Sequence, residues 1–137
     1  MYPLEIVAPM SQELNNAGFK SLTSSEEVTE ILSAKEGTTF VVVNSVCGCA
    51  ARYARPGAIA GIAGEKLPDN LYTVFAGVDK EATETAREFM MPYPPSSPSM
   101  ALFKDGKLVH FIERHHIERA NADMISDHLK MVFDRFC

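Results

Sequence analysis

The sequence TTFVVVNSV, at residues 38–46, is the feature that most restricts the possible folds of this chain. It is rich in β-branched residues and lacks the apolar–polar alternation of a strand with one face in water. The run therefore predicts a β-strand buried on both faces, at the centre of its sheet. Cys47, Gly48 and Cys49 follow this strand directly, at the expected start of a helix.

Other patterns along the chain predict further helices and strands. Apolar residues at helical spacing predict a helix around Leu14, one after a Ser24/Glu27 capping box, one capped by Asp79 and one after Asn121. A stretch rich in Ala and other small residues predicts a further helix that begins near Cys49 and is bent or interrupted at Pro56. Apolar and β-branched runs predict strands in LYTVFAGV, SMALFK and KLVHFI, and FKSL (residues 19–22) reads as a short strand. The dipeptide Asp105-Gly106 predicts a hairpin between the last two runs.

This order of elements predicts an α/β fold. Two parallel strands joined through a helix, followed by an antiparallel hairpin, give a central mixed four-stranded sheet with helices on both faces and an N-terminal helical extension. We expect residues 1–137 to form a single domain, because 137 residues with 46% hydrophobic side chains suit one core.

Composition excludes several classes of partner. The 13 Lys and Arg against 18 Asp and Glu give a formal charge of −5, without a basic block, so we expect no nucleic-acid partner. The segment MYPLEIVAPMSQEL resembles neither a secretion signal nor a membrane span, so we expect no membrane partner and a cytoplasmic location. Three cysteines are too few for a disulfide scaffold, and each one needs a chemical or packing explanation.

The cysteine pair has the features of a redox centre. A thiol at a helix N-terminus meets unpaired backbone N–H groups and the positive end of the helix dipole, which favour the thiolate. Cys47 lies further out and is the candidate nucleophile, whereas Cys49, in the first turn, suits a resolving role. Gly48 would permit a tight turn and close approach of a substrate backbone. A Cys47–Cys49 disulfide would close a small, strained ring, which favours exchange and isomerisation over bulk reduction.

Three further side chains remain open to two interpretations. Arg52 and Arg55 lie within two helical turns of the cysteines, where they could stabilise a thiolate or bind the carboxylates of a small thiol. They could equally be solvated on the helix surface. Cys137, the last residue, is as compatible with a terminal thiol of no assigned task as with a redox role.

Several quoted motifs resemble a known family. A strand running into a cysteine pair, with SSPSMALFKDGKLV about fifty residues later, resembles the thioredoxin fold. More narrowly, VVVNSVCGCA, VFAGVDKEAT, PSSPSMALFKDGK, HFIERHHIE and the terminal Cys137 resemble the bacilliredoxins, over nearly the whole chain. That resemblance implies a thiol–disulfide oxidoreductase that removes bacillithiol, a low-molecular-weight thiol, from mixed disulfides on oxidised cytosolic proteins.

The same resemblance implies the remaining parts of the site. Pro98 takes the position of the thioredoxin cis-proline, and the backbone of Ser97 would then offer hydrogen-bonding groups to an extended substrate beside Cys47. Bacillithiol is implied as a co-substrate, with no tightly bound cofactor and no metal. The sequence departs from thioredoxins in having one residue between its cysteines, Val46 where they carry Trp, and no acidic residue in FVVVN. A proton route through a buried carboxylate is therefore not expected.

A metal-binding protein is the alternative. Cys47 and Cys49 could bind zinc, copper or an iron–sulfur cluster with Cys137 or a histidine of RHHIE as a further ligand. His115 and His116 are adjacent and would project differently on most backbones, so a second close ligand pair is missing. A binding module that kept the fold without catalysis is a third possibility, against which the intact cysteines argue.

Overall fold

The computed structural model describes residues 2–137 as one mixed sheet between two layers of helices. In chain order the elements are α1 (Leu4–Asn16), β1 (Lys20–Ser21), α2 (Ser25–Leu32), β2 (Thr38–Asn44), a π-helical turn (Ala50–Ala54), α3 (Arg55–Gly61), β3 (Asn70–Phe75), α4 (Lys80–Phe89), β4 (Ser99–Lys104), β5 (Lys107–Ile112), α5 (Arg114–Glu118) and α6 (Ala122–Phe136).

The sheet contains five strands in the order β1-β3-β2-β4-β5. β1, β3 and β2 run parallel, whereas β4 and β5 are antiparallel to their neighbours. The predicted count of four was one too low, because the short strand expected in FKSL joins the sheet. Lys20 and Ser21 pair with the free edge of β3, and that edge exists only in the folded sheet.

Strand β2 lies at the centre of the sheet and all seven of its residues are buried, as predicted. Phe40 and Val42 face a cluster built with α1, α3, α5 and α6, whereas Val41 and Val43 face a second cluster built with α2 and α4. The non-alternating sequence thus reflects two apolar layers, one on each side of the strand.

Helix α3, which continues from the cysteine pair, packs tightly on α6. A Cβ atom on Gly57 would lie 2.6 Å from the Ile125 side chain, and one on Gly61 would lie 2.8 Å from Leu129. The two glycines therefore let the helix backbones approach closely. This contact fixes α3, and with it the position of the cysteines at the carboxyl end of β2.

The predicted helix starts differ in how they are capped. Ser24 accepts a hydrogen bond from the Glu27 N–H, so the cap predicted there is confirmed. Asn121 accepts one from the Met124 N–H, a cap that the sequence analysis had not assigned. The prediction for Asp79 was wrong in its chemistry. Its side chain makes no capping bond, and its backbone carbonyl accepts from the N–H and hydroxyl of Thr83 instead.

The β4–β5 hairpin forms at the predicted turn and leads into a helix that the sequence patterns did not reveal. Asp105 and Gly106 have φ values of 52° and 82°, which suit the two central positions of a type I′ turn. After β5, α5 occupies only five residues, too few for a periodic apolar pattern. Among residues 2–137, no helix is both long and apolar enough to cross a membrane.

Candidate active site

A buried arginine, Arg55, binds the loop between β2 and the cysteines. Arg55 is 3% exposed, and its Nε atom lies 2.9 Å from Glu13 Oε1. Its Nη1 atom donates to Asn44 Oδ1 and to the Ser45 carbonyl, both at 2.9 Å. Asn44 Oδ1 also accepts from the Ser45 N–H. The end of β2 is therefore fixed by a charged network before the chain reaches Cys47.

Cys47 lies at the first turn of the helix. Its carbonyl accepts hydrogen bonds from the N–H groups of Ala50 and Ala51 at 3.1 and 3.3 Å, and its own N–H donates to Ser45 Oγ at 3.2 Å. The side chain is half-buried and packs against the core cluster beneath α3. This is the helix-start position predicted for the nucleophile.

The surroundings of Cys47 favour its thiolate. Partial burial desolvates the thiol and raises its pKa, but the Ser45 hydroxyl, the N–H groups of Ala50 and Cys49, and the positive charge of Arg114 act in the opposite direction. Together they hold the pKa of Cys47 below its ordinary value. Cys47 and Cys49 are both partly buried, so the sequence analysis was not right to expect a clear difference in exposure between them. Cys47 is distinguished by the groups that stabilise its negative charge.

Gly48 is exposed, and a Cβ atom placed on it would meet no heavy atom within 4 Å. Its φ lies outside the left-handed region, so the turn does not require glycine as expected. The open space over Gly48 leaves room for a substrate chain next to both thiols.

The Ser97–Pro98 peptide bond is cis, as the resemblance implied, and Pro98 is buried. The Ser97 carbonyl accepts a hydrogen bond from Arg114 Nη1 at 3.1 Å, and Ser96 Oγ accepts one from the Arg114 N–H at 3.4 Å. The loop before β4 is thus tied to the start of α5.

Arg114 and Ser45 are residues of this site that the sequence analysis missed. The hydrogen bond of Arg114 to the Glu118 side chain and the nearby Cys47 thiolate raise the pKa of its guanidinium, so it stays charged. The available signal for Arg114 lay in the hairpin. The antiparallel register that pairs Met100 with Ile112 brings the residues after β5 back to the level of Pro98. Only the register places Arg114 near cysteines so distant in sequence.

The two arginines selected from the sequence lie in different environments. Arg52 is exposed, which agrees with the alternative of a solvated side chain. Arg55 is buried, and its donors bind Glu13, Asn44 and Ser45. Its expected role in substrate binding does not fit this placement. Arg55 instead positions the loop that carries Cys47.

Cys137 lies at the opposite end of the sheet. Its thiol is near the Thr38 hydroxyl and the Asp69 carboxylate, at the start of β2. Seven residues of β2 separate this end from the Cys47 end, a distance of roughly 20 Å. Cys137 therefore cannot complete a metal site with Cys47 and Cys49 in one chain, and that form of the alternative was wrong.

A histidine does not complete the cysteine pair either. Within residues 2–137, the only group of three or more metal-binding side chains in mutual reach is Glu113, His115 and His116, which contains no cysteine. The thiols thus have no assembled third ligand in the described part of the chain. The arrangement favours sulfur exchange chemistry, which needs a thiolate, an accessible surface and a second thiol nearby.

The fold and the site define a thiol–disulfide oxidoreductase. Solved structures share the fold: thioredoxin O2 from Arabidopsis thaliana, with 14% identity, matches 86% of this chain and 96% of its own with a TM-score of 0.58. Mitochondrial thioredoxin 3 from Saccharomyces cerevisiae, with 18% identity, matches 85% of this chain and 94% of its own with a TM-score of 0.56. The architecture is therefore the thioredoxin fold.

Sequence comparisons give a narrower assignment. The family described as disulphide isomerase matches residues 2–137. A bacilliredoxin of Cytophaga hutchinsonii is 62% identical, with 98% of each chain covered. A bacilliredoxin of Halalkalibacterium halodurans is 52% identical over 99% of this chain and 94% of its own. The chain belongs to the bacilliredoxin family, as its motifs suggested.

Proposed function

We propose that this oxidoreductase removes bacillithiol from mixed disulfides on oxidised proteins in the cytosol. The observation that supports the proposal most strongly is the environment of Cys47, an accessible thiol whose negative charge is stabilised by Ser45, backbone N–H groups and Arg114. Family membership suggests bacillithiol as the small thiol. Oxidised client proteins and the free thiol are its partners in this scheme.

The exchange proceeds in two balanced steps. The Cys47 thiolate attacks the bacillithiol sulfur of the mixed disulfide, so a bond forms between these two sulfurs and the client sulfur leaves as a thiolate that takes a proton from water. The Cys47 adduct is then attacked by a second thiolate. If Cys49 attacks, bacillithiol leaves and a Cys47–Cys49 disulfide remains for reduction by another thiol. If free bacillithiol attacks, bacillithiol disulfide forms and Cys47 is regenerated directly.

Disulfide isomerisation is a second candidate activity, favoured by the description of the family that matches residues 2–137. It uses the same first step with a protein disulfide in place of the mixed one. Gly48 has open space above it, so the backbone between the two thiols is accessible to a protein disulfide. The test is recovery of activity by a model protein with scrambled disulfides.

The proposed function is tested by intact-mass analysis. Reduced protein is mixed with a bacillithiolated model protein, beside the variants Cys47→Ser, Cys49→Ser and the matched control Cys137→Ser. We expect the wild type and Cys137→Ser to free the model protein, Cys47→Ser to be inert, and Cys49→Ser to accumulate one bacillithiol adduct. A wild type that never takes up bacillithiol would show that this small thiol is not its substrate.

A further inference from the structure

Arg114 is held at the edge of the thiol site by three contacts. Its Nε atom pairs with the Glu118 carboxylate, its Nη1 atom donates to the Ser97 carbonyl at 3.1 Å, and its backbone N–H donates to Ser96 Oγ at 3.4 Å. The guanidinium therefore has a defined orientation beside the loop that precedes Pro98. Its side chain is nevertheless 44% exposed, so it can also contact a bound molecule.

The guanidinium still has donors to offer. Of its five N–H groups, one on Nε and one on Nη1 are engaged by Glu118 and Ser97 within the described residues. One N–H on Nη1 and both on Nη2 remain for a ligand. Two parallel N–H groups of this kind match the two oxygens of a carboxylate.

Arg114 places a positive charge beside the thiols of an acidic protein. The chain has a formal charge of −5, which by itself disfavours an acidic small molecule. Arg114 is close enough to act electrostatically on both Cys47 and Cys49. Of the two arginines that follow the cysteines in the chain, Arg52 is exposed, and Arg55 is buried and occupied by Glu13, Asn44 and Ser45.

We infer that Arg114 binds a carboxylate of the small thiol carried by the substrate disulfide, so that the sulfur of that thiol lies beside Cys47. The inference rests on the proposed function in that it concerns the same exchange step. It extends that function to a class of substrate, the mixed disulfides of acidic low-molecular-weight thiols. Mixed disulfides of neutral thiols lack the group that Arg114 would bind.

The test compares two mixed disulfides of the same model protein, one with glutathione, which carries carboxylates, and one with 2-mercaptoethanol, which carries none. The rate of transfer of the small thiol to Cys47 is measured by mass spectrometry in the Cys49→Ser background. Each rate is corrected for the thiolate fraction of Cys47, obtained from the pH dependence of its alkylation. The correction removes any effect that Arg114 exerts through Cys47 alone.

We expect Arg114→Ala to slow transfer from the glutathione disulfide about tenfold or more relative to transfer from the 2-mercaptoethanol disulfide. Arg114→Lys keeps the charge without the planar pair of donors and should retain part of this preference. Arg119→Ala, which removes an exposed arginine just past α5, is the matched control and should leave the ratio of the two rates unchanged. Arg52→Ala should leave it unchanged as well.

Two results would overturn the inference. Equal slowing of both disulfides by Arg114→Ala, or no slowing of either, would mean that Arg114 does not recognise the carboxylate. Selective loss in Arg52→Ala, with Arg114→Ala unaffected, would move the recognition to the other arginine. A wild type that prefers the glutathione disulfide through Arg114 but takes nothing from a bacillithiolated protein would refute the proposed function and leave this inference standing.

Discussion

The two ends of strand β2 each have a cysteine nearby, and the pKa values of the two thiols are shifted in opposite directions. At the carboxyl end, the pKa of Cys47 is lowered although partial burial acts to raise it. At the amino end, partial desolvation of the Cys137 thiol, together with the Asp69 carboxylate, raises its pKa despite the nearby Thr38 hydroxyl and the charges of Lys104 and Lys66. Burial acts in the same direction on both thiols, so it is not what separates them.

Helix polarity and local donors make the difference. Cys47 lies at a helix start, where backbone N–H groups point towards it, whereas Cys137 ends α6 and its own N–H donates to the Phe133 carbonyl at 2.8 Å. Cys47 also has the Ser45 hydroxyl and Arg114. The comparison shows that the groups around each thiol, and not burial alone, set the direction in which its pKa is shifted.

The largest expected contrast is between serine substitutions at the two cysteines. Cys47→Ser should abolish thiol–disulfide exchange, because a serine hydroxyl is not ionised near neutral pH and cannot form the mixed disulfide. Cys137→Ser should leave the exchange rate unchanged, since its thiol lies at the other end of the sheet. Both rates are measured with a model mixed disulfide. Comparable losses in the two variants would contradict a site confined to the Cys47 end.

The next contrast is in stability. Arg55→Met removes a buried cation with three hydrogen bonds and should lower the free energy of unfolding by about 2–4 kcal/mol. Asp69→Ala removes an exposed carboxylate that accepts from the Thr38 N–H and hydroxyl, and should cost about 1 kcal/mol. Urea unfolding measures both values.

Of these two substitutions, only Arg55→Met should also change the rate of disulfide exchange. Arg55→Met releases the loop that carries Ser45. We therefore expect the molecules of this variant that remain folded to exchange disulfides more slowly than the wild type. Asp69→Ala should exchange at the wild-type rate. If Arg55→Met were less stable but retained full exchange activity, the charged network would support the fold without positioning Cys47.

A smaller effect is expected at Ser45. Ser45→Ala removes one hydrogen bond to the Cys47 thiolate and should therefore raise the pKa of Cys47. Ser45→Thr keeps the hydroxyl and serves as the control. The measurement is the pH dependence of Cys47 alkylation. An unchanged profile in Ser45→Ala would leave the helix start and Arg114 as the only sources of the shift.

The smallest change in stability is expected at Gly48. Because a Cβ atom there would meet nothing within 4 Å, Gly48→Ala should fold normally and gain up to about 1 kcal/mol from the lower flexibility of the unfolded chain. Exchange with a small disulfide should be unaffected, and exchange with a folded protein should slow. Equal rates for both substrates would show that the space over Gly48 is not used by protein clients.

Local patterns in the sequence predicted most of the elements because their causes are local. The buried run of β2, the Asp105-Gly106 turn and the cap at Ser24 each depend on a few adjacent residues. β1 was recognised as a strand but not as part of the sheet, because its pairing depends on the distant edge of β3. Helix α5 was missed because five residues carry no period.

The residues of the candidate site also divide into those that local sequence patterns predict and those that depend on distant parts of the chain. Cys47 was placed correctly at a helix start because strand and helix signals adjoin it. Arg52 and Arg55 could not be separated by their distance from the cysteines, although Arg55 adjoins the buried positions Ala54 and Ala58 on the helix. The position of Arg114 depends on the register of the β4–β5 hairpin. That register includes a shift between Leu102 and Phe103 that no local sequence pattern predicts.

The most direct test of the account is site-resolved alkylation of Cys47 and Cys137 in the same reduced wild-type sample. Iodoacetamide labelling is followed by mass spectrometry of the two peptides between about pH 5 and about pH 10, a range that spans ordinary and shifted thiol pKa values. Because a lower pKa means that the proton leaves at lower pH, the labelling of Cys47 should rise well before that of Cys137. Coincident profiles, or earlier labelling of Cys137, would contradict the assignment of Cys47 as the activated thiol.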